Sequence, residues 1–195
     1  LRQQAKRAKN LPNLSLVDYI APRQSGKQDW IGGFAVTTGI GIEDRVKAFE
    51  DNHDDYEAIL LKALADRLAE AFAERMHQRV RTEFWGYTGE ERLDNDALIA
   101  ESYQGIRPAP GYPACPEHTE KQKLWDLLDA EKATGMRLTE SFAMYPAASV
   151  SGWYFSHPDA KYFTVRGIQD DQAADYAKRK EWDADTAKRW LGAIQ

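Results

Sequence analysis

The sequence predicts an α+β fold in which an antiparallel sheet is flanked by helices. Three observations point there. Between residues 43 and 85, Leu60, Leu64, Leu68, Phe72 and Met76 recur every four residues, the spacing of one helical face. Between residues 142 and 168 the runs are instead short, aromatic and β-branched, and are separated by turn residues. Helical and strand-like runs fall in separate blocks rather than alternating, which argues against a parallel α/β sheet.

Taken in order, the first residues are polar and basic and suit a short helix or a frayed end. Residues 14–20 are apolar, interrupted by Ser15 and Asp18, and Pro22-Arg23-Gln24-Ser25-Gly26 reads as a turn. Residues 30–38 suit a strand, and its adjacent Gly32 and Gly33 mark either a bend or a place where another group comes close. The helical region 43–85 breaks at Asn52-His53-Asp54-Asp55, with Asp54 or Asp55 capping the second helix, and ends at Gly86 and Gly89. Asp94 caps a helix running to about Tyr103. Pro116 or Glu117 starts another, through Leu124, Leu127 and Leu128 to Gly135. Strands are expected over 142–146, 148–155 and 162–168, with a turn at His157-Pro158-Asp159. Helices over 169–180 and 185–191 close the chain.

Composition narrows the function classes. The 195 residues suit one domain, or one domain with a lobe, with 43% hydrophobic and 11% aromatic residues. A net charge of -5 argues against a nucleic-acid partner, which needs concentrated Lys and Arg. No apolar run approaches the roughly 20 residues of a membrane span, so no membrane partner is expected. A single cysteine excludes an internal disulfide and fits a reducing, cytoplasmic setting. The chain opens on Leu1 rather than Met, as expected of a fragment.

The segment Gly105-Ile106-Arg107-Pro108-Ala109-Pro110-Gly111-Tyr112-Pro113-Ala114-Cys115-Pro116 holds four prolines and two glycines. Each proline fixes φ and removes a backbone donor, so neither a helix nor a central strand forms there. The segment is a stiff loop, either a plain crossover or a holder for a ligand. It carries Arg107, whose fork of donors matches a carboxylate. It also carries Tyr112, with a flat face and a hydroxyl.

This loop, with the following Glu117-His118, resembles the S-adenosylmethionine-binding loop of the activation domain of cobalamin-dependent methionine synthases. Leu64-Ala65-Asp66-Arg67-Leu68-Ala69-Glu70-Ala71-Phe72-Ala73-Glu74 resembles a second stretch of that domain. Residues 140–158, Glu-Ser-Phe-Ala-Met-Tyr-Pro-Ala-Ala-Ser-Val-Ser-Gly-Trp-Tyr-Phe-Ser-His-Pro, resemble a third. The three occur in the family's order, and the resemblance runs from Leu1 to about Trp190. It implies that residues 1–195 are the later part of the family's activation domain, without the earlier portion that supplies an acidic ligand contact.

The resemblance implies a site and a role. Arg107, Pro108, Ala109, Gly111 and Tyr112 take the ligand-loop positions, and Tyr162 and Phe163 those of the strand closing over S-adenosylmethionine. The family often carries two tyrosines there, so Phe163 leaves only a backbone contact at the second. Glu70 and Glu101 are candidates for the ligand's ammonium, and Glu101 is also a candidate partner for Arg107. Glu70 and Glu74 lie about 80–120° from the centre of the leucine stripe, so a solvated helix edge is their plain alternative. His118 is expected to organise the loop or to face the cobalamin module or another partner, rather than to act as a general base. The role implied is repair of oxidised cobalamin. S-adenosylmethionine supplies a methyl group, and flavodoxin or a flavoprotein reductase supplies an electron. Other modules of the methyltransferase hold the cobalamin and the zinc.

Two other readings stand beside it. One is an assembly module that has lost its ligand site, since an acidic contact is missing. The other is a di-metal helical protein, suggested by Glu50-x-x-His53 and Glu74-x-x-His77. On one continuous helix residues 53 and 74 lie roughly 30 Å apart and cannot share a metal. Cys115 beside two prolines reads as a packed side chain rather than a nucleophile.

Overall fold

A computed structural model describes residues 1–4 and 11–195, and the expected short helix or frayed end falls partly on residues 5–10, outside the described residues. Two 3-10 turns, Leu16–Tyr19 and Arg23–Ser25, precede strand β1 (Gly32–Thr37). Helices α1 (Glu43–Asp51) and α2 (Asp55–Arg79) follow, then α3 (Asn95–Ile99), α4 (Glu120–Leu128) and α5 (Ala130–Thr134). Strands β2 (Arg137–Leu138), β3 (Met144–Tyr145) and β4 (Ser149–Tyr154) lead into helices α6 (Asp170–Lys180) and α7 (Ala184–Leu191). β1 pairs with β4. β2 pairs antiparallel with β3, Arg137 facing Tyr145 and Leu138 facing Met144.

The chain forms two compact units, each discontinuous in sequence. Unit 1 comprises Leu1–Gly32, Gln104–Glu120 and Trp153–Gln195, and unit 2 comprises Gly33–Tyr103 and Lys121–Gly152. Unit 1 is packed around Val165, Ile168, Tyr176, Leu191 and Ile194, with a second cluster of Tyr19, Ile106 and Phe155. In unit 2, Trp125, Ala130 and Met136 pack with Leu128, Leu138 and Met144. Gly33 belongs to this packing. A Cβ there would fall 2.7 Å from Leu124 Cδ1, so the glycine admits a leucine side chain against β1.

The break at 52–55 forms as the sequence predicts. His53 takes a left-handed φ of 56°, and the Asp54 carboxylate accepts from the Glu57 N–H at the start of α2. The buried face of α2 differs from the expected one. Leu64 and Leu68 are 53% and 60% exposed, and Leu60 and Phe72 are exposed as well, whereas Ala58, Ala65, Ala69, Ala73 and His77 are buried. Small side chains let the helix backbone approach its neighbours closely: the Thr38 hydroxyl donates to the Ala65 carbonyl.

Three other expectations are corrected. The helix after Asp94 stops at Ile99, and Glu101 has a left-handed φ of 52° instead of ending that helix. The helix expected from Pro116 or Glu117 to Gly135 begins at Glu120 and splits at Asp129, whose φ is 47°. Residues 162–168 form no strand. Their backbone donors go elsewhere, Val165 N–H to the Pro113 carbonyl and Ile168 N–H to the Ile194 carbonyl. Proline accepts but has no N–H to return, so the proline-rich loop cannot complete a ladder beside this segment.

Candidate functional site

The stiff loop is anchored by its own backbone. Ile106 and Phe155 exchange both hydrogen bonds at 3.0 Å, and the Pro108 carbonyl accepts from the Trp153 N–H at 2.9 Å. Farther along, the Ala109 carbonyl accepts from the Tyr112 N–H at 3.2 Å. The Cys115 carbonyl accepts from Gly111, and the Tyr112 carbonyl from Cys115, at 2.7 and 2.9 Å. Prolines limit the loop's freedom, and these bonds fix the rest of its path.

Arg107 and Tyr162, fifty-five residues apart, meet directly: the Arg107 backbone N–H donates to the Tyr162 hydroxyl at 3.1 Å. Tyr112 is 59% exposed and Tyr162 40%, so unit 1 presents two phenol rings and a half-buried guanidinium to solvent. Phe163 turns the other way. Its ring packs into both apolar clusters of unit 1, 6.4 Å from the Tyr19 ring.

Gly111 is required by its surroundings. It has a φ of +93°, and a Cβ would fall 2.5 Å from His118 Cε1. The exposed His118 ring thus backs the loop at its tightest point. Behind the loop, the 2% exposed Glu117 accepts from the Thr119 N–H and hydroxyl, each at 2.6 Å, and from the Tyr176 hydroxyl at 3.0 Å. Lys180 Nζ lies 3.5 Å from Glu117 and 2.9 Å from Glu120. Burial first, then the hydrogen bond to Glu120, raises the Tyr176 hydroxyl far above the ordinary phenol range and keeps it neutral.

Glu70 and Glu101 belong to unit 2, and both are exposed. Glu74 is half-buried, its Oε1 3.9 Å from Arg81 Nη1. Arg81 is wholly buried, pairs with Glu91 at 2.8 Å, and stacks over Tyr103 at 4.0 Å. His77, also wholly buried, meets the Tyr103 ring edge-on and lies 3.5 Å from the Tyr87 hydroxyl. Glu50 pairs with Lys62, and His53 is exposed in the helix break. Among the described residues no group of three or more His, Cys, Asp or Glu converges on a metal position.

Sequence reasoning missed this buried cation and the carboxylate–lysine cluster behind the loop. The first had a readable signal. Ala65, Ala69, Ala73, His77 and Arg81 follow one another every four residues, so Arg81 continues the buried small-residue face. Lys180 sits in a basic last turn, Lys178-Arg179-Lys180, where solvation is the ordinary expectation.

Two cavities are lined mainly by other residues, the first also by Ala114, Cys115 and Pro116 at the end of the loop. One of about 300 Å³ in unit 1 is walled by Leu16, Trp153, Phe155 and Tyr176, with Glu117 and Glu120 at its side. Another of about 720 Å³ in unit 2 runs between α1, α2 and the Pro146 turn. Neither is lined by Arg107, Tyr112 or Tyr162.

A family model described as the activation domain of vitamin B12 dependent methionine synthase matches residues 1–181. The chain belongs to this family. The activation domain also matches a solved structure, a crystal structure of the MetH reactivation domain bound to AdoHcy, at 60% identity and a TM-score of 0.97. That match covers 100% of this chain and 59% of the other, so the chain spans somewhat more than half of its solved relative. No helix among the described residues of the activation domain is long and apolar enough to cross a membrane.

Proposed function

We propose that this activation domain binds S-adenosylmethionine through the 105–112 loop and Tyr162, and presents its methyl group to cobalamin held by another module of methionine synthase. The observation that carries the reading is the hydrogen bond that brings the Tyr162 hydroxyl to the Arg107 backbone on the rigid loop, in a chain 60% identical to a reactivation domain solved with AdoHcy. The residues fit the ligand's chemistry. The Arg107 guanidinium matches its carboxylate, and the rings of Tyr112 and Tyr162 offer flat surfaces to its adenine. The Pro108 and Ala109 carbonyls each already accept one internal hydrogen bond, and a carbonyl's second lone pair remains for a donor on the ligand.

S-adenosylmethionine supplies an activated methyl group on a sulfonium, so the domain needs no general base. Its residues bind, orient and shield the ligand, and the rate gain comes from placement. Cys115 is the only thiol and the sequence carries no Asp-x-His-x-x-Gly motif, so zinc and cobalamin are assigned to other modules. His118 and the exposed side of the loop are the surface proposed to meet the cobalamin module. Flavodoxin or a flavoprotein reductase is the proposed electron source, and the cytoplasm the proposed setting. Residues 1–195 then serve as part of a methyltransferase and turn nothing over alone.

The test supplies S-adenosylmethionine, cobalamin and a reductant, with and without the remaining modules. Methylation of cobalamin only when the modules are joined is expected. Methylation at the full rate by residues 1–195 alone would overturn the modular reading.

A further inference from the structure

We propose that Glu117 and Lys180 are positioning residues for the 105–116 loop, acting through His118. The inference rests on the reading of that loop as the ligand-binding element, and adds a control point on helix α6.

The chain of contacts is continuous within unit 1. Gly111 sits where His118 leaves no space for a side chain. The His118 ring is carried on backbone that lies between Glu117 and Thr119. Both neighbours are buried, and they are tied to each other by two hydrogen bonds at 2.6 Å. Lys180 closes the arrangement from α6: its Nζ donates to the Thr119 hydroxyl at 2.8 Å and faces both Glu117 and Glu120. Tyr176, one turn earlier on α6, offers its hydroxyl to Glu117 or Glu120, with one proton to give. The Lys180 ammonium is further held over the Tyr176 and Trp182 rings at 5.6 and 5.3 Å.

A plain packing role does not call for this chemistry. Well-packed apolar side chains stabilise a core as effectively as a buried ion pair, without its desolvation cost. What an ion pair with fixed hydrogen bonds adds is direction: it holds residues 117–119 in one orientation, and with them the ring that backs Gly111. Displacement of that ring frees the tightest turn of the loop and moves Tyr112 and Arg107 relative to Tyr162. Placement errors of about 1 Å in such elements are costly in rate.

The experiment compares wild type with Lys180→Met, Lys180→Arg and Glu117→Gln. S-adenosylhomocysteine is titrated by calorimetry, and the Gly111 amide and His118 ring resonances are followed by NMR. Lys180→Met is expected to weaken binding at least tenfold and to shift both resonances, with Lys180→Arg restoring most of each. Leu68→Ala, on an exposed face of unit 2, serves as a control expected to leave both readouts unmoved. If Lys180→Met does not fold, Glu117→Gln, which keeps the side-chain volume, is read in its place. Wild-type binding together with unmoved Gly111 and His118 resonances in the folded variant would overturn the proposal. If wild type itself fails to bind, the ligand reading falls, while the resonances still decide whether the pair positions the loop.

Discussion

Replacing Gly111 with alanine has a cost that follows from the local geometry. The backbone there has a φ of +93°, and the new Cβ would lie 2.5 Å from His118 Cε1 and 2.8 Å from Nδ1. Holding a non-glycine residue in such a conformation costs about 1–3 kcal/mol. The clash adds about 1 kcal/mol, the low end for overpacking, because the edge of the exposed His118 ring gives way at small cost while its backbone stays held between Glu117 and Thr119. Gly111→Ala is therefore expected to lose about 2–4 kcal/mol in urea unfolding, and to bind S-adenosylhomocysteine at least tenfold more weakly. His118→Ala made in the Gly111→Ala background removes the clash but not the strain. A double-mutant cycle should then return a coupling of about 1 kcal/mol. Wild-type stability in Gly111→Ala would refute the strain argument, and a coupling of zero would refute the ring contact.

Three further outcomes check the packing and electrostatics of unit 2. Leu68→Ala should change stability by less than about 0.5 kcal/mol, whereas Ala69→Leu should cost about 1–3 kcal/mol, since Leu68 is exposed and Ala69 wholly buried. The reverse order in urea unfolding would restore the leucine stripe as the core face. Glu91→Ala leaves the buried Arg81 guanidinium without its close partner, and should lower stability by about 3–5 kcal/mol. Arg81→Met with Glu91→Leu should recover most of that loss, and a double variant no better than the single would argue against the desolvation account. Burial pushes the Tyr87 hydroxyl up to about 12. The unfolded phenol loses its proton near 10, so above that pH the unfolded state binds fewer protons than the folded one. Stability should fall as pH rises from about 10 to 12, by at most about 1.4 kcal/mol per unit, and Tyr87→Phe should flatten that part of the profile. Parallel profiles for the two proteins would contradict the assignment.

Much of the architecture could be read from sequence where a local rule decides it. The break at Asn52-His53-Asp54 needed only a capping carboxylate and a residue that tolerates left-handed φ, both local properties. The stiffness of the 105–116 loop follows from its prolines. The buried face of α2 did not follow from local pattern, because two stripes compete on that helix. The leucine stripe has the larger hydrophobic signal, but the alanine stripe permits the closer approach. Residues 162–168 had the composition of a strand, yet a strand requires a partner able to return hydrogen bonds, and Pro113 cannot. The pairing of Arg107 with Tyr162 was legible only as two fragments of a family resemblance. Nothing local to either residue encodes a contact across fifty-five positions. The cluster of Glu117, Thr119, Tyr176 and Lys180 was invisible for the same reason, since burial of Lys180 is decided by how α6 packs.

Arg107 is proposed to anchor the carboxylate of S-adenosylmethionine on this loop, and calorimetric titration of the ligand reads that anchor. A charge-assisted hydrogen bond is worth about 1.5–3 kcal/mol. Wild type should bind, and Arg107→Ala should bind at least tenfold more weakly. Arg107→Lys should recover only part of the loss, because an ammonium lacks the guanidinium fork. Equal affinity for wild type and Arg107→Ala would rule out Arg107 as the anchor.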